Sequence, residues 1–277
     1  MRRYLFFSIL LFASFSYPIL AQDIYKGKTV DVNTQKPLDF VNIGVLGKGV
    51  GTCSKMGGAY QLDLTGVKET DTLIFSLIGY AADTVIVYDY KKKYRSKVAI
   101  IFLSSLVLPY QEKLIYDAAM VTKVLGNNHD SKSKKVGFDG MLLGAEIGLK
   151  IAIKGSPTYL KDLHFSLVKS PSVNSHLRIK MYYMVNGMPK EQILDENIIV
   201  EIKPGQKMVV VNLLPYHIVL EEDVVVSVEC IDGALMGGES GILLAGGRGP
   251  LFKRNVSHGK WGRYGGPGLG INVTAIY

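Results

Sequence analysis

The chain is short of the residues that most often carry chemistry. Its 277 residues include two cysteines, one tryptophan and five histidines. Cys53 and Cys230 are too few for a disulfide framework and read as buried thiols on strands of separate domains. None of His129, His164, His176, His217 and His258 is followed by glutamate three residues on, so the His-x-x-Glu pair of a zinc carboxypeptidase is absent. His217 and Glu221 share one extended stretch but lack a third ligand. No metal site and no cofactor are expected. Gly238-Glu239-Ser240-Gly241 falls short of a nucleophile elbow because Ile242 replaces the last glycine. The glycine runs 246–249 and 265–270 match neither a phosphate loop nor a dinucleotide fingerprint, and no βαβ pattern surrounds them.

Long apolar runs are missing beyond residue 20. Before that point Arg2 and Arg3 make a basic start, residues 4–15 an apolar run, and Ile19-Leu20-Ala21 a cleavage site before Gln22. The run is shorter than the ~20 apolar residues of a membrane span. Residues 1–21 therefore read as a cleaved signal peptide and the chain as exported. No cysteine follows the cleavage point, as a lipoprotein signal requires. Acidic residues are in deficit, 24 against 32 basic ones, for a formal charge of +8. The lysines gather only at Lys91-Lys92-Lys93 with Arg95, and at Lys132 with Lys134-Lys135. Neither group carries the interleaved aromatics of a nucleic-acid platform, so both read as solvated loops and no nucleic-acid partner is expected.

What the chain has in quantity is alternation. From Gly27 to Tyr80 the short runs KTV, DFVNIGV, AYQLDL and TLIFSLI alternate with turn clusters such as DVNTQKP, GKGVG and SKMGG. This is the pattern of a small antiparallel β-sandwich. It is expected over 22–108, with strands over 24–31, 40–45, 52–54, 60–64, 72–78, 82–88 and 97–103.

The same residues carry a family likeness. Val30-Asp31, Thr34-x-x-Pro37-Leu38-x-x-Val41-x-Ile43, Gly51-Thr52, Gly58-x-Tyr60-x-Leu62 and Ser76-x-Ile78-Gly79-Tyr80 resemble the carboxypeptidase-regulatory-like domain. The stretch is also similar to the N-terminal extension of TonB-dependent outer-membrane receptors. The resemblance implies a transthyretin-like sandwich and a Gram-negative envelope. It implies no catalytic domain, and too few residues follow for a receptor barrel.

Residues 109–135 read as a linker with a short helix over 116–125. Residues 136–277 read as a second, jelly-roll-like β-sandwich, making the fold all-β. Its strands are expected over 146–153, 160–168, 176–184, 198–202, 208–213, 223–230, 241–245 and 269–276. The candidate binding residues lie near its end. Lys260, Trp261, Arg263 and Tyr264 stand among flexible glycines, where aromatic faces stack on sugars and polar groups reach their hydroxyls. Trp261 as a packing residue at the end of the core is the competing reading. The sequence thus points to an exported, non-catalytic interaction or structural module of the cell envelope. It would lie in the periplasm or at the outer-membrane surface, with peripheral association, or be secreted. Its partner is another envelope protein or a glycan. A carbohydrate-binding accessory protein is the alternative, and a hydrolase without a recognisable motif comes third.

Overall fold

The computed structural model describes residues 23–106, 120–127, 131–138, 141–233 and 241–277. The expected signal peptide, residues 109–119 and 128–130 of the expected linker and residues 238–240 lie outside the described residues. The protein is all-β, with one short α-helix among the described residues.

The first unit contains β1 (Ile24–Asp31), β2 (Asn42–Val45), β3 (Gly51–Cys53), β4 (Ala59–Asp63), β5 (Thr72–Ser76) and β6 (Asp83–Ile86). Helix α1 (Val87–Tyr94) and β7 (Ala99–Leu103) follow. Alternation sets the faces: β1 buries Tyr25, Gly27 and Thr29 and turns Ile24, Lys26 and Lys28 outward. Two sheets, ordered β4-β1-β7 and β3-β2-β5-β6, enclose Ile43, Leu62, Leu73, Phe75 and Tyr90.

Two expectations fail here. The strand expected over 82–88 stops at Ile86 and turns into α1, whose Val87, Tyr90 and Tyr94 are buried. Their spacing is that of a helix face, in a stretch whose Val-Ile-Val-Tyr composition favours a strand. Tyr90 anchors the helix: its hydroxyl lies 2.9 Å from that of Tyr60, and its ring packs on Tyr25, Phe75 and Tyr94. The sandwich is also not wholly antiparallel, because β7 runs parallel to β1. Parallel neighbours need a long crossover connection, and α1 lies within it.

The second unit contains β8 (Thr122–Gly126), β9 (Ser131–Gly137), β10 (Ala145–Ile151), β11 (Thr158–Lys169) and β12 (Ser175–Val185). Next come β13 (Met188–Gln192), β14 (Ile198–Ile202), β15 (Met208–Asn212), β16 (Val219–Leu220) and β17 (Val224–Cys230). It ends with β18 (Leu243–Gly247), β19 (Leu251–Arg254), β20 (Gly262–Tyr264), β21 (Gly268–Leu269) and β22 (Ile271–Ile276). One sheet runs β13-β12-β17-β10-β19-β20, with β14 on β12. The other runs β21-β18-β11-β22-β8, with β15 and β16 on β11 and β9 on β18.

The expected linker is corrected at both of its described segments. β8 pairs with β22 and β9 with β18, burying Leu125 and Val136 in the second core. The described end of the helix expected over 116–125 is therefore strand. The polar run SKSKK hid β9, because edge strands commonly carry lysines that discourage further pairing. The loop expected around Trp261 is likewise partly strand, since β20 pairs with β19.

The sheet containing β17 has an unusual outer face. Its inner face supplies Ala145, Ile147, Leu177, Ile179, Met181, Val226 and Val228 to the core. The alternate residues Glu146, Arg178, Lys180, Tyr182, Ser227 and Glu229 point the other way, yet they too are buried. The first sandwich covers them.

Candidate functional site

Pairing of β12, β17, β10 and β19 lays a row of charges across the sheet. Arg178 stands opposite Glu229, Glu229 opposite Glu146, and Glu146 opposite Arg254. Two carboxylates facing each other across strands repel. They are tolerated because an arginine flanks each end of the row and Lys180, on the next pleat of β12, reaches both. Lys180 Nζ lies 3.3 Å from Glu146 Oε1 and 3.3 Å from Glu229 Oε1. Arg178 donates to Glu229 Oε2 at 3.1 Å, and Arg254 Nε to Glu146 Oε1 at 3.0 Å.

Asn42 of β2 enters this row from the first sandwich. Its Oδ1 accepts from Arg178 at 2.6 Å and its Nδ2 donates to Glu229 and, at 2.9 Å, to Ser257 Oγ. The Phe40 carbonyl accepts from Arg178 as well. Around Ser257 the two units approach at backbone distance. A Cβ on Gly44 or on Gly51 would collide with the Ser257 carbonyl oxygen. Glycine in β2 thus serves close approach of a neighbouring backbone. Gly47 N–H donates to the His258 carbonyl at 2.9 Å, and Asn197 Nδ2 to that of Ile78 at 2.9 Å. Phe40, Cys53 and Ile231 form an apolar patch beside the charges.

The electrostatics describe a closed cluster. Burial alone would raise the Glu146 carboxyl, but the charges of Arg254 and Lys180 and the hydrogen bond from Ser227, at 2.8 Å, hold it well below its ordinary value. Burial, with the carboxylates nearby, pushes the Tyr182 hydroxyl far up, and it donates to Glu146 Oε2 at 2.9 Å. His258 is driven down to about 3 by burial and then by Arg254 and Lys180. Burial raises the Cys53 thiol to about 12 and that of Cys230 still further.

These values bear on reactivity. Ser76 Oγ lies 3.1 Å from His258 Nε2, the geometry of a serine–histidine pair. A base with so low a pKa has little hold on a hydroxyl proton at neutral pH. The thiols are protonated, and thiolate is the reactive form. Glu146 is engaged by five donor groups and serves as a counter-ion. The cluster is built to join two domains. Among the described residues, no three or more His, Cys, Asp and Glu side chains gather as a metal site. His217, expected in an extended stretch, instead closes a 3₁₀ turn in a left-handed conformation.

The four candidate residues of the sequence do not share one surface. The Trp261 ring packs edge-on against Tyr182 at 5.4 Å and carries the Arg254 guanidinium at 5.1 Å. Tyr264, at the far end of β20, is exposed and has Lys253 Nζ 4.5 Å from its ring centre. Lys260 and Arg263 are exposed. Trp261 thus closes the side of the cluster, while the other three face solvent. Cys53 and Cys230, expected as thiols of separate domains, are both buried and free, and Cys53 lies in the interface itself. Of the residues at this cluster, the sequence singles out Cys53, Cys230, His258 and Trp261. The signal for the rest was a charged, tyrosine-bearing outer face repeated on neighbouring strands.

Comparison with known structures gives distant likenesses. One is to the cysteine protease and lectin-like domains of Cwp84, a surface layer associated protein of Clostridium difficile. It has a TM-score of 0.39 and 9% identity over 56% of this chain and 36% of that one. Another is to BcpA, the major pilin subunit of Bacillus cereus, with a TM-score of 0.19 and 10% identity over 90% and 68% of the two chains. Neither likeness is close enough to carry an argument. No curated protein matches the sequence significantly. The family comparison is specific, and it covers the first sandwich alone: residues 25–106 match the CarboxypepD_reg-like domain, a regulatory-like rather than a catalytic module.

Proposed function

We propose that the protein is an exported, non-catalytic module of the cell envelope that holds another envelope protein along the edge of its first sandwich. The observation that carries this reading is β7. It ends its sheet, and among the described residues no strand pairs with its outer edge. Its outward side chains are apolar: Ile100 is 50% and Phe102 46% exposed, continued by Val98 at 63% and Leu106 at 51%. The Tyr94 hydroxyl donates to the Ile100 carbonyl at 3.3 Å and Gly79–Ala81 bridges Ser104–Leu106, which leaves the stretch around Phe102 as the edge with an apolar face that a partner's strand can use. The signal-like residues 1–21 and the regulatory-like domain support export and a binding role.

The test is photo-crosslinking in intact envelopes, with a photoreactive residue in place of Phe102 or, as control, of Gln61 on β4. A defined adduct from position 102 alone, lost with Ile100→Lys, is the expected result. Equal labelling at both positions would remove the edge reading.

A further inference from the structure

A cavity of about 400 Å³ opens where the two sandwiches meet. One wall is the Ser76–Tyr80 segment that follows β5, and the other is formed by β12 and β13. Lys180, Arg254, His258 and Asn42 reach it from the buried cluster, while Lys190, Gln192 and Asp195 stand at its exposed rim.

The cluster at this cavity is over-charged. Three cations, Arg178, Lys180 and Arg254, meet two carboxylates, Glu146 and Glu229, with every side chain at most 12% exposed. At the rim Lys190 and Asp195 cancel, so one positive charge is left over. Donors are in excess too, since Arg178 Nε has no acceptor among the described residues. Lys180 is the least well held of the three cations. Its contacts to Asn42, Glu146 and Glu229 are all 3.3–3.4 Å, against about 2.7–2.9 Å for a strong charged hydrogen bond. Buried charge without a full counter-charge is costly, and Lys180 and Arg254 are the two cations that line the cavity.

We infer that this interdomain cavity binds a small carboxylate, with Lys180 and Arg254 facing the anion and Ser76, Lys190 and Gln192 facing the rest of the molecule. A carboxylate supplies the missing negative charge and gives Lys180, whose present contacts are all long, a closer acceptor. The volume is that of a small-molecule pocket, at the lower end of the roughly 300–1,000 Å³ range. The depressed basicity of His258, which burial sets first, agrees in its second cause, the positive charges of Arg254 and Lys180. The cavity shares Leu106 with the margin of the β7 surface but not Ile100 or Phe102, and either proposal can fail without the other.

The lone Trp261, with the Arg254 guanidinium 5.1 Å from its ring, is a built-in reporter. The experiment titrates the folded protein with D-glucuronate, glucose and acetate, reading Trp261 emission and the heat of binding. Glucuronate is expected to bind and glucose not to. Acetate is expected to bind more weakly than glucuronate, because it leaves the rim unused, and acetate binding as tightly would remove Ser76, Lys190 and Gln192 from the site. Two variants avoid the ion row. Ser76→Ala is expected to weaken glucuronate about fivefold, the equivalent of one hydrogen bond. Lys190→Gln is expected to weaken it about threefold, as for an exposed ion pair. Equal binding of glucose and glucuronate, no binding of either acid, or indifference to both substitutions would each overturn the assignment.

Discussion

His258 and Glu146 make the protein sensitive to acid through one shared cluster. His258 is held at about 3 in the folded chain against an ordinary 6.5, so below that ordinary value the unfolded chain takes up a proton that the folded one refuses. Glu146 is held at about 2 against 4.5, and in its window too the unfolded chain binds more protons. Both effects lower stability as pH falls, His258 first. Urea unfolding is expected to show a loss of about 2 kcal/mol between about pH 7 and about pH 5, and His258→Gln to be nearly flat there. A wild-type profile as flat as the variant's would show that His258 is not held neutral. The sequence exposes little of this. Glu146, Arg178, Lys180 and Glu229 sit at alternate positions on strands whose other face is apolar, which is how a solvated sheet face reads. Alternation reports which residues share a face; it carries no information about a second domain laid over it.

At the scale of elements, strands were legible where apolar alternation was strong. β1 and β14 fall where expected, and β17 departs by one residue. Short or polar pieces were not. β9 is mostly lysine and serine, and β20 is three residues among glycines. Helix α1 was hidden by β-branched residues at its start, although its three buried positions are helically spaced. That face is expected to hold the element in place. Tyr90→Ala removes a fully buried ring and orphans the Tyr60 hydroxyl. Its cost should be about 3–5 kcal/mol in denaturant unfolding, against at most about 0.5 kcal/mol for Lys92→Ala on the solvated side. Equal costs would mean that α1 is not a core element.

For the molecule as a whole, the two sandwiches are expected to unfold as one cooperative unit, because Arg178 and Glu229 keep their buried contacts to Phe40 and Asn42 only while both are in place. Gly44→Val drives a side chain into the Ser257 backbone and leaves the core of each unit intact. Calorimetry should then show two transitions where the wild type shows one. A single transition at an unchanged midpoint would mean that the units are joined by something other than this contact. The partners in that contact are far apart along the chain: Asn42 and Ser257 are separated by 215 residues. If the polypeptide crosses a membrane from its N-terminus, the face made by Phe40, Asn42 and Gly44 emerges long before Arg254 and Ser257 do. Throughout that interval Glu146 lacks the arginine at its end of the row, and Asn42 lacks the Ser257 hydroxyl. A ribosome or translocon that stalls short of residue 254 would therefore leave a finished first sandwich beside an unfinished mate, displaying unmatched charge as a ready mark for proteolysis.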